Sequence, residues 1–255
     1  MKNRISVLFA FMALLLVVSL ACKVFSGTQS PPDTQASDQP QLTKPPVQPT
    51  EPPVQPTEPP VQTPSAQEFF TEEFDGDISN WSYFTSKNDT TADDSGVQPV
   101  AQDGFLLMDI GKNLNLYATY DPFTYDNVRL DVRVENRGTN NNNINLICRY
   151  SDEGWYEIAI ANNGKFWFLA FDGVKNSYAR LADGGSNKIK AGKETNEYTL
   201  ICNDRNLRLL INGVETRTYT DNQYVFRDGK VGVGLSSFEY LPVKVEFDWV
   251  KISQP

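Results

Sequence analysis

The sequence contains no histidine. The candidates for catalysis or binding are therefore sought among its carboxylates, its aromatic rings and its three cysteines. A chain without imidazole lacks the usual general base, the Ser-His-Asp arrangement and most zinc sites. Two acidic runs remain, at residues 73–77 and 246–248. Two carboxyl groups about 5 Å apart can hydrolyse a glycosidic bond with retention. We expect both runs to be ordinary outward-facing charges, and we identify no catalytic residue.

The three cysteines divide into one and a pair. Cys22 ends an N-terminal segment that has its own explanation, which leaves Cys148 and Cys202 on predicted strands. In an exported chain, an even pair most simply forms a disulfide. That bond would close a loop of about 50 residues and stabilise the fold by roughly 4 kcal/mol. The alternative is two small buried apolar side chains.

The N-terminal segment, residues 1–21, is typical of a secretory signal, with two basic residues followed by an apolar run over residues 5–21. The sequence SLAC at its end resembles a bacterial lipobox, although Ser19 stands where leucine is usual. We expect lipidation at Cys22, which would anchor the chain in the membrane. An uncleaved anchor helix and ordinary cleavage are the alternatives. All three predict an extracytoplasmic location.

Residues 22–66 form a proline-rich segment, which we expect to be a disordered linker. Twelve of the sixteen prolines lie between Pro31 and Pro64, and PPVQPTE is repeated from Pro45 onwards. Dense proline favours the polyproline II helix, which has no internal hydrogen bonds and cannot pack a core. We interpret the segment as a spacer. A ligand for proline-binding domains is the alternative.

The net charge limits the partners. The formal charge is -9, and it becomes about -11 once the two basic residues of the signal are removed, with 21 basic against 32 acidic residues. Such an acidic chain is repelled by phosphate backbones. We therefore expect no nucleic-acid partner.

Residues 67–255 carry the period-two pattern of antiparallel strands. Residues 144–150 and 156–161 show a period of two between turn residues, and residues 165–171 form a third strand. The dipeptide Asn212-Gly213 is a strong hairpin signal. Further strands are expected at 105–110, 114–118, 128–135, 177–181, 197–203, 207–211, 214–219, 230–235 and 243–249. About a dozen short strands without helical spacing predict an all-β domain of two antiparallel sheets packed face to face.

The strand at residues 165–171 is unusual because both of its faces are apolar. An aromatic row on the outer face could stack against sugar rings. Trp155, Trp167 and Tyr178 are the ligand-binding candidates. The alternative is additional core, with the outer face covered by a loop such as residues 183–193.

Several segments in order carry a family resemblance. They are CRYSDE at 148–153, WYEI at 155–158, LRLLINGV at 207–214, GKVGV at 229–233 and VEFDWV at 245–250. Over about residues 70–253 the chain resembles the concanavalin A-like lectin/glucanase domains of bacterial surface proteins. These include relatives of family 16 glycoside hydrolases and 3-keto-disaccharide hydrolases. The resemblance implies a jelly-roll sandwich, a fold that hosts both enzymes and passive binders.

The resemblance also bears on catalysis and metal binding. The family 16 pattern is Glu, any residue, Asp, two residues, Glu. Glu246 and Asp248 match it, but Lys251 stands at the last position. Residues 73–78 end on isoleucine at the same place. Jelly-roll modules often bind calcium between their first and last strands. Three aspartates could supply its ligands, with solvated or capping aspartates as the alternative: Asp75, Asp77 and Asp248. No other cofactor is expected.

These expectations combine into one functional prediction. The chain is expected to be an exported surface lipoprotein whose monomeric sandwich binds carbohydrate or another envelope polymer without catalysis. Two alternatives belong to other functional classes. One is a glycoside hydrolase with an unrecognised carboxylate pair, and the other is a structural or protein-interaction module of the cell envelope.

Overall fold

The computed structural model describes residues 66–255, which form β-strands joined by turns and loops. The strands are β1 (Phe70–Glu72), β2 (Trp81–Lys87), β3 (Val100–Gln102), β4 (Phe105–Ile110), β5 (Leu114–Tyr120), β6 (Val128–Asn136), β7 (Asn142–Ser151), β8 (Gly154–Ala161), β9 (Lys165–Asp172), β10 (Ser177–Gly185), β11 (Thr195–Asn203), β12 (Asn206–Ile211), β13 (Val214–Thr220), β14 (Lys230–Ser237) and β15 (Val243–Ser253).

The strands form two antiparallel sheets. The first sheet has the order β13-β12-β11-β6-β15-β4-β3, with β1 also paired to β15. The second has the order β10-β9-β8-β7-β14-β5-β2. Neighbours along the chain pair directly in the meander of β7, β8 and β9, while β6, β14 and β15 pair with strands distant in sequence. The predicted all-β, two-sheet sandwich is confirmed.

The core lies between the sheets because each strand points alternate side chains inward. On β6, Val128, Leu130, Val132 and Val134 are buried and belong to one apolar cluster. The intervening side chains carry charges that pair on the outer surface, as Arg133 does with Asp248 on β15 at 2.9 Å. One face in the core and one in water is the pattern that the alternation predicts.

A disulfide joins the two sheets through the core. Cys148 lies on β7 of the second sheet and Cys202 on β11 of the first, and their sulfur atoms are bonded. Both side chains are fully buried, and their Cα atoms lie 6.7 Å apart. The bond therefore fixes the second sheet against the first.

The structure adds features that the strand pattern did not predict. Strands β1, β2 and β3 were not expected, and β10 continues to Gly185, four residues past the predicted end at 181. Gly184 looks like a turn residue, yet it lies in β10 opposite Phe166. A Cβ at Gly184 would approach the Phe166 ring to 2.5 Å, so the buried ring requires glycine there.

Some sequence predictions concern residues that the structure does not describe. The signal peptide at residues 1–21, the lipid attachment at Cys22 and all but the last residue of the linker at 22–66 lie outside the described residues. Across residues 66–255, no helix has the length and apolar character needed to cross a bilayer.

Candidate functional site

A carboxylate lies at the centre of the outer face of the second sheet. On β8, Tyr156 and Ile158 point into the core between the sheets, so Trp155, Glu157 and Ala159 point to the opposite face. Glu157 is only 2% exposed. A buried carboxylate is costly unless it is hydrogen-bonded, so its partners define the site.

The two carboxylate oxygens of Glu157 have different surroundings. Oε2 accepts hydrogen bonds from the Tyr117 hydroxyl at 3.1 Å, the Tyr178 hydroxyl at 2.9 Å and Trp155 Nε1 at 3.3 Å. Oε1 accepts a hydrogen bond from none of the residues 66–255. The carboxylate is therefore held through Oε2, while Oε1 has no hydrogen-bond partner among these residues.

Burial dominates the electrostatics of this group. It raises the pKa of Glu157 above its ordinary value, and the three hydrogen bonds oppose that shift only in part. The same burial, with the neighbouring carboxylate, raises the pKa of Tyr117 and Tyr178. Both phenols therefore remain protonated donors at neutral pH.

Aromatic rings surround the three donors. We call them the outer aromatic cluster, and its members are Phe84, Tyr117, Tyr150, Trp155, Phe171 and Tyr178. The Trp155 and Phe171 rings stack with centroids 3.9 Å apart, and Phe84 stacks on Tyr117 at 4.9 Å. Trp155 is only 8% exposed, whereas Tyr178 is 40% exposed. The cluster is thus a small second core on the outer face of the sheet. Its most solvent-accessible side is at Tyr178.

A pocket with a volume of about 200 Å³ lies beside this cluster, and we call it the Glu157 pocket. Its lining residues are Asn88, Asn115, Tyr117, Asn143, Glu157, Ala159, Leu169, Tyr178, Ser236 and Phe238. The volume is below the roughly 300–1,000 Å³ of pockets for drug-sized ligands. Within this lining, Glu157 is the one charged side chain. The pocket therefore offers amide, hydroxyl and carboxylate groups beside an apolar floor.

A buried acceptor without a donor lies next to one residue of the pocket lining. Asn145 is fully buried on β7, and its Nδ2 donates to Ser236 Oγ at 2.7 Å. Its Oδ1 has no hydrogen-bond partner within the described part of the chain. An unsatisfied buried polar atom is unusual in a native structure. Its neighbour Ser236 lines the pocket, so the orphaned atom adjoins the site.

The three ligand-binding candidates separate into two places. Trp155 and Tyr178 meet at Glu157, with their ring centroids 6.1 Å apart. Trp167 lies outside the outer aromatic cluster, on β9 beside the edge strand β10. The loop suggested as a cover, residues 183–193, begins as part of β10, which pairs beside β9. The rings that cover the outer face at Trp155 are those of Tyr150 and Phe171.

The acidic residues singled out in the sequence lie elsewhere. Glu246 pairs with Arg137 at 2.6 Å and Asp248 with Arg133 at 2.9 Å, both on the first sheet. Asp77 accepts hydrogen bonds from the backbone and hydroxyl of Ser79. In residues 66–255, no three His, Cys, Asp or Glu side chains form a group that could hold a metal ion. Calcium binding by Asp75, Asp77 and Asp248 therefore stays a prediction, without a preformed ligand group in this part of the chain.

Sequence reasoning missed Glu157 because it followed the alternation alone. Glu157 occupies an outward position of β8, where a charged residue is ordinarily solvated. The available signal was its neighbours on the same face, Trp155, Ala159 and Ala161. A single acid within an apolar face needs partners, and those come from β5 and β10.

Comparison with known families gives one match that spans most of the chain. The model of the 3-keto-alpha-glucoside-1,2-lyase-like domain matches residues 70–252. This confirms the resemblance predicted from the sequence motifs. A search of curated proteins gave no match.

Solved structures share the fold at low sequence identity. The beta-glucanase of Bacillus licheniformis is 13% identical with a TM-score of 0.55, over 74% of this chain and 99% of that one. A family 16 endo-glucanase from Bacteroides ovatus is 14% identical with a TM-score of 0.54, over 72% and 99%. A carbohydrate-binding module from Bacillus subtilis is 9% identical with a TM-score of 0.50, over 66% and 91%. These likenesses establish a concanavalin A-like sandwich.

Proposed function

Since the chain belongs to the family of 3-keto-alpha-glucoside-1,2-lyase-like domains, we propose that its sandwich binds carbohydrate in the Glu157 pocket without cleaving it. The observation that carries this proposal is the unequal use of the Glu157 carboxylate. Three donors hold Oε2, and Oε1 remains as an acceptor in a pocket lined by amides and hydroxyls. Such a fixed acceptor suits the hydroxyl groups of a sugar ring.

The pocket also has the apolar surface that a sugar ring requires. Ala159 and Leu169 form part of the lining, and Phe238 stands 38% exposed at its side. A sugar ring presents C–H groups on its faces and hydroxyl groups around its rim. An aromatic face with nearby amides and hydroxyls matches both kinds of surface. The small volume favours one ring rather than a long segment of chain.

The lining gives a reason for binding without hydrolysis. Hydrolysis by the glycosidase route needs two carboxyl groups about 5–10 Å apart. Among the described residues that line the pocket, Glu157 supplies the single carboxylate. The beta-glucanase and the carbohydrate-binding module are described by names that refer to glucan and carbohydrate. Their shared fold supports carbohydrate as the ligand class of this chain.

Binding of glycans to the full chain tests the proposal, with Glu157→Gln as the decisive variant. In the glutamine variant, the three donors still bond to an oxygen, because the amide oxygen takes the place of Oε2. The amide nitrogen then takes the place of Oε1. An acceptor facing the ligand thereby becomes a donor, and we expect affinity to fall by about tenfold or more. Asp248→Asn on the first sheet is the matched control and should leave affinity unchanged. Glycan binding that is equal in both variants would refute the proposal.

A second function is favoured by the buried position of the Glu157 carboxylate, which leaves Oε1 without a hydrogen-bond partner and raises the pKa of the group. A 1,2-elimination from a 3-keto-glucoside needs one base that removes the proton at C2 while the bond from C1 to its oxygen substituent breaks. The leaving oxygen takes up a proton, and a double bond forms between C1 and C2. A single buried carboxylate could serve as that base. Enone absorbance on mixing with a 3-keto-glucoside, lost in Glu157→Gln, would favour this lyase function over binding alone.

The cellular location is a separate proposal. We propose that Cys22 carries a lipid anchor and that the linker at residues 22–66 holds the sandwich away from the membrane surface. The lipobox-like sequence and the proline repeats support it. Labelling of the full chain with a radioactive fatty acid tests it. Cys22→Ser should abolish the label, and a label that persists would exclude this site.

A further inference from the structure

A second depression lies at the β9–β10 edge of the same sheet face, and we call it the edge depression. It has a volume of about 480 Å³, and its lining residues are Lys165, Trp167, Arg180, Asp183, Gly184 and Gly185. Lys165, Arg180 and Asp183 are exposed. The register pairs Trp167 with Asp183 and Leu169 with Arg180. The tryptophan is therefore flanked by charged side chains on its own strand and on the edge strand.

Trp167 is placed to receive a ligand. Its ring makes no aromatic contact within residues 66–255, unlike Trp155, which stacks on Phe171. Across the other side of β9, Trp167 pairs with Ala159, whose side chain is small, and Trp167 is partly exposed. Ala159 lines the Glu157 pocket, as does Leu169, which follows Trp167 on the same face of β9. The edge depression thus adjoins the Glu157 pocket.

Charge distinguishes the two places. The edge depression has two cations and one carboxylate, whereas the lining of the Glu157 pocket has one carboxylate and no lysine or arginine. The Arg180 guanidinium lies 3.9 Å from the Asp183 carboxylate, at the limit of an ion pair, and both side chains are more than half exposed. Such a pair contributes little. Arg180 can therefore turn toward an anion on a ligand.

We propose that the edge depression binds an anionic sugar unit, one carrying a carboxylate or a sulfate ester. The Trp167 ring would stack against the sugar face, and Lys165 and Arg180 would bind the anionic group. This inference rests on the proposed carbohydrate function, because the adjoining Glu157 pocket would hold a neighbouring unit of the same chain. The negative net charge of the protein repels anionic ligands at long range, so any preference for them must come from close contact with these two cations.

Calorimetric titration of the full chain with three oligosaccharides of equal length tests the inference: a neutral glucan, a uronate oligomer and a sulfated oligomer. We expect one anionic oligomer to bind about tenfold more tightly than the glucan. The double variant Lys165→Gln with Arg180→Gln should remove that preference and leave glucan affinity unchanged. The double variant Lys244→Gln with Lys251→Gln on β15 of the first sheet is the charge-matched control and should keep it. The preference should also fall as salt is raised.

The outcomes separate this inference from the function on which it rests. Equal affinity of the wild-type chain for all three oligomers, or an anionic preference that survives the double variant, would overturn the inference. Glu157→Gln could lose glucan affinity while the double variant keeps the wild-type preference for an anionic oligomer. That result would support glycan binding in the Glu157 pocket and overturn the anionic site in the edge depression. Preference for the uronate oligomer identifies the carboxylate as the anion, and preference for the sulfated oligomer identifies the sulfate ester.

Discussion

The hydroxyl of Tyr178 on the edge strand β10 donates to Oε2 of Glu157 on β8 at 2.9 Å, across the intervening strand β9. This bond joins an exposed side chain to a buried carboxylate on the outside of the sandwich. The outer aromatic cluster packs around the Oε2 side of this carboxylate, as a core would. Stability and recognition therefore depend on the same group of side chains.

The first prediction concerns the pH dependence of stability at Glu157. Burial raises the folded-state pKa of Glu157 above its unfolded value. Protonation thus favours folding: this stabilisation is fully present below about pH 4 and is lost as the pH rises through the folded-state pKa. Glu157→Gln stays neutral at every pH. We expect its melting temperature to exceed that of the wild-type chain increasingly between pH 4 and pH 8.

Thermal unfolding at several pH values measures this difference. Asp248→Asn is the control, because Asp248 lies on the opposite sheet in an exposed ion pair with Arg133. Its melting temperature should follow that of the wild-type chain at each pH. A constant offset between Glu157→Gln and wild type over the whole range would contradict the raised pKa.

The second prediction concerns Asp221, which organises the segment before β14. The Tyr156 hydroxyl donates to its Oδ2 at 2.6 Å, and the backbone N–H groups of residues 223–225 donate to its two oxygens. Burial alone would raise the pKa of Asp221, but these hydrogen bonds outweigh it and hold the pKa below its ordinary value. We expect Asp221→Ala to cost about 2–4 kcal/mol, because several donors lose their acceptor.

The pH dependence at Asp221 has the opposite sign to that at Glu157. A lowered folded-state pKa gives stability that is present above about pH 4 and is lost as the pH falls through the folded value. Urea unfolding of Asp221→Asn should therefore show its largest deficit near neutral pH and a smaller one in acid. Asp228→Asn, at an exposed position of the same segment, should match the wild-type chain. A deficit that grows in acid would refute the assignment.

The third prediction concerns the bond between Cys148 and Cys202. It closes a loop with a sequence separation of 54 residues and joins strands of different sheets. The chain-entropy model gives a stabilisation of about 4 kcal/mol for such a loop. The double variant Cys148→Ala with Cys202→Ala should lose about that much in urea unfolding. A reductant should lower the free energy of unfolding of the wild-type chain and leave that of the double variant unchanged. An equal effect of the reductant on both chains would contradict the presence of the disulfide.

Much of the fold follows from alternation, and its failures have local causes. Strands with one buried face, such as β6, show period two over nine residues, so their place in a sheet was predictable. Strands β1 and β3 have three residues each, too few for a pattern to appear. In β10, a bulge between Arg180 and Ala182 interrupts the register, and the glycines beyond it resemble a turn.

The site was less predictable, because its members converge only through pairing between strands. Trp155 and Tyr178 were predicted as ligand-binding aromatic residues on the outer face, and both donate hydrogen bonds to Glu157. Tyr117 comes from β5, which lies three strands from β8 in the sheet. No local pattern shows that these side chains meet. The sequence predicts which face they occupy, and the strand order decides which of them touch.

The last prediction separates Trp155 from Trp167, two tryptophans on the same face of the sheet. Trp155 is 8% exposed, stacks on Phe171 with centroids 3.9 Å apart and donates to Glu157. Its replacement by alanine should cost about 3–5 kcal/mol, as for other buried aromatic residues. Trp167 is partly exposed at the sheet edge, so Trp167→Ala should cost about 1 kcal/mol or less while weakening binding of glycans.

Urea unfolding and glycan titration of the two alanine variants form the paired measurement. Trp155→Phe provides a milder companion, because it keeps a ring against Phe171 but loses the hydrogen bond to Glu157. It should recover most of the stability lost in Trp155→Ala. A large stability loss in Trp167→Ala would show that Trp167 belongs to the packed surface, as Trp155 does. If Trp167→Ala binds glycans with unchanged affinity, Trp167 does not contact the ligand. Glycan binding would then depend on the Glu157 pocket.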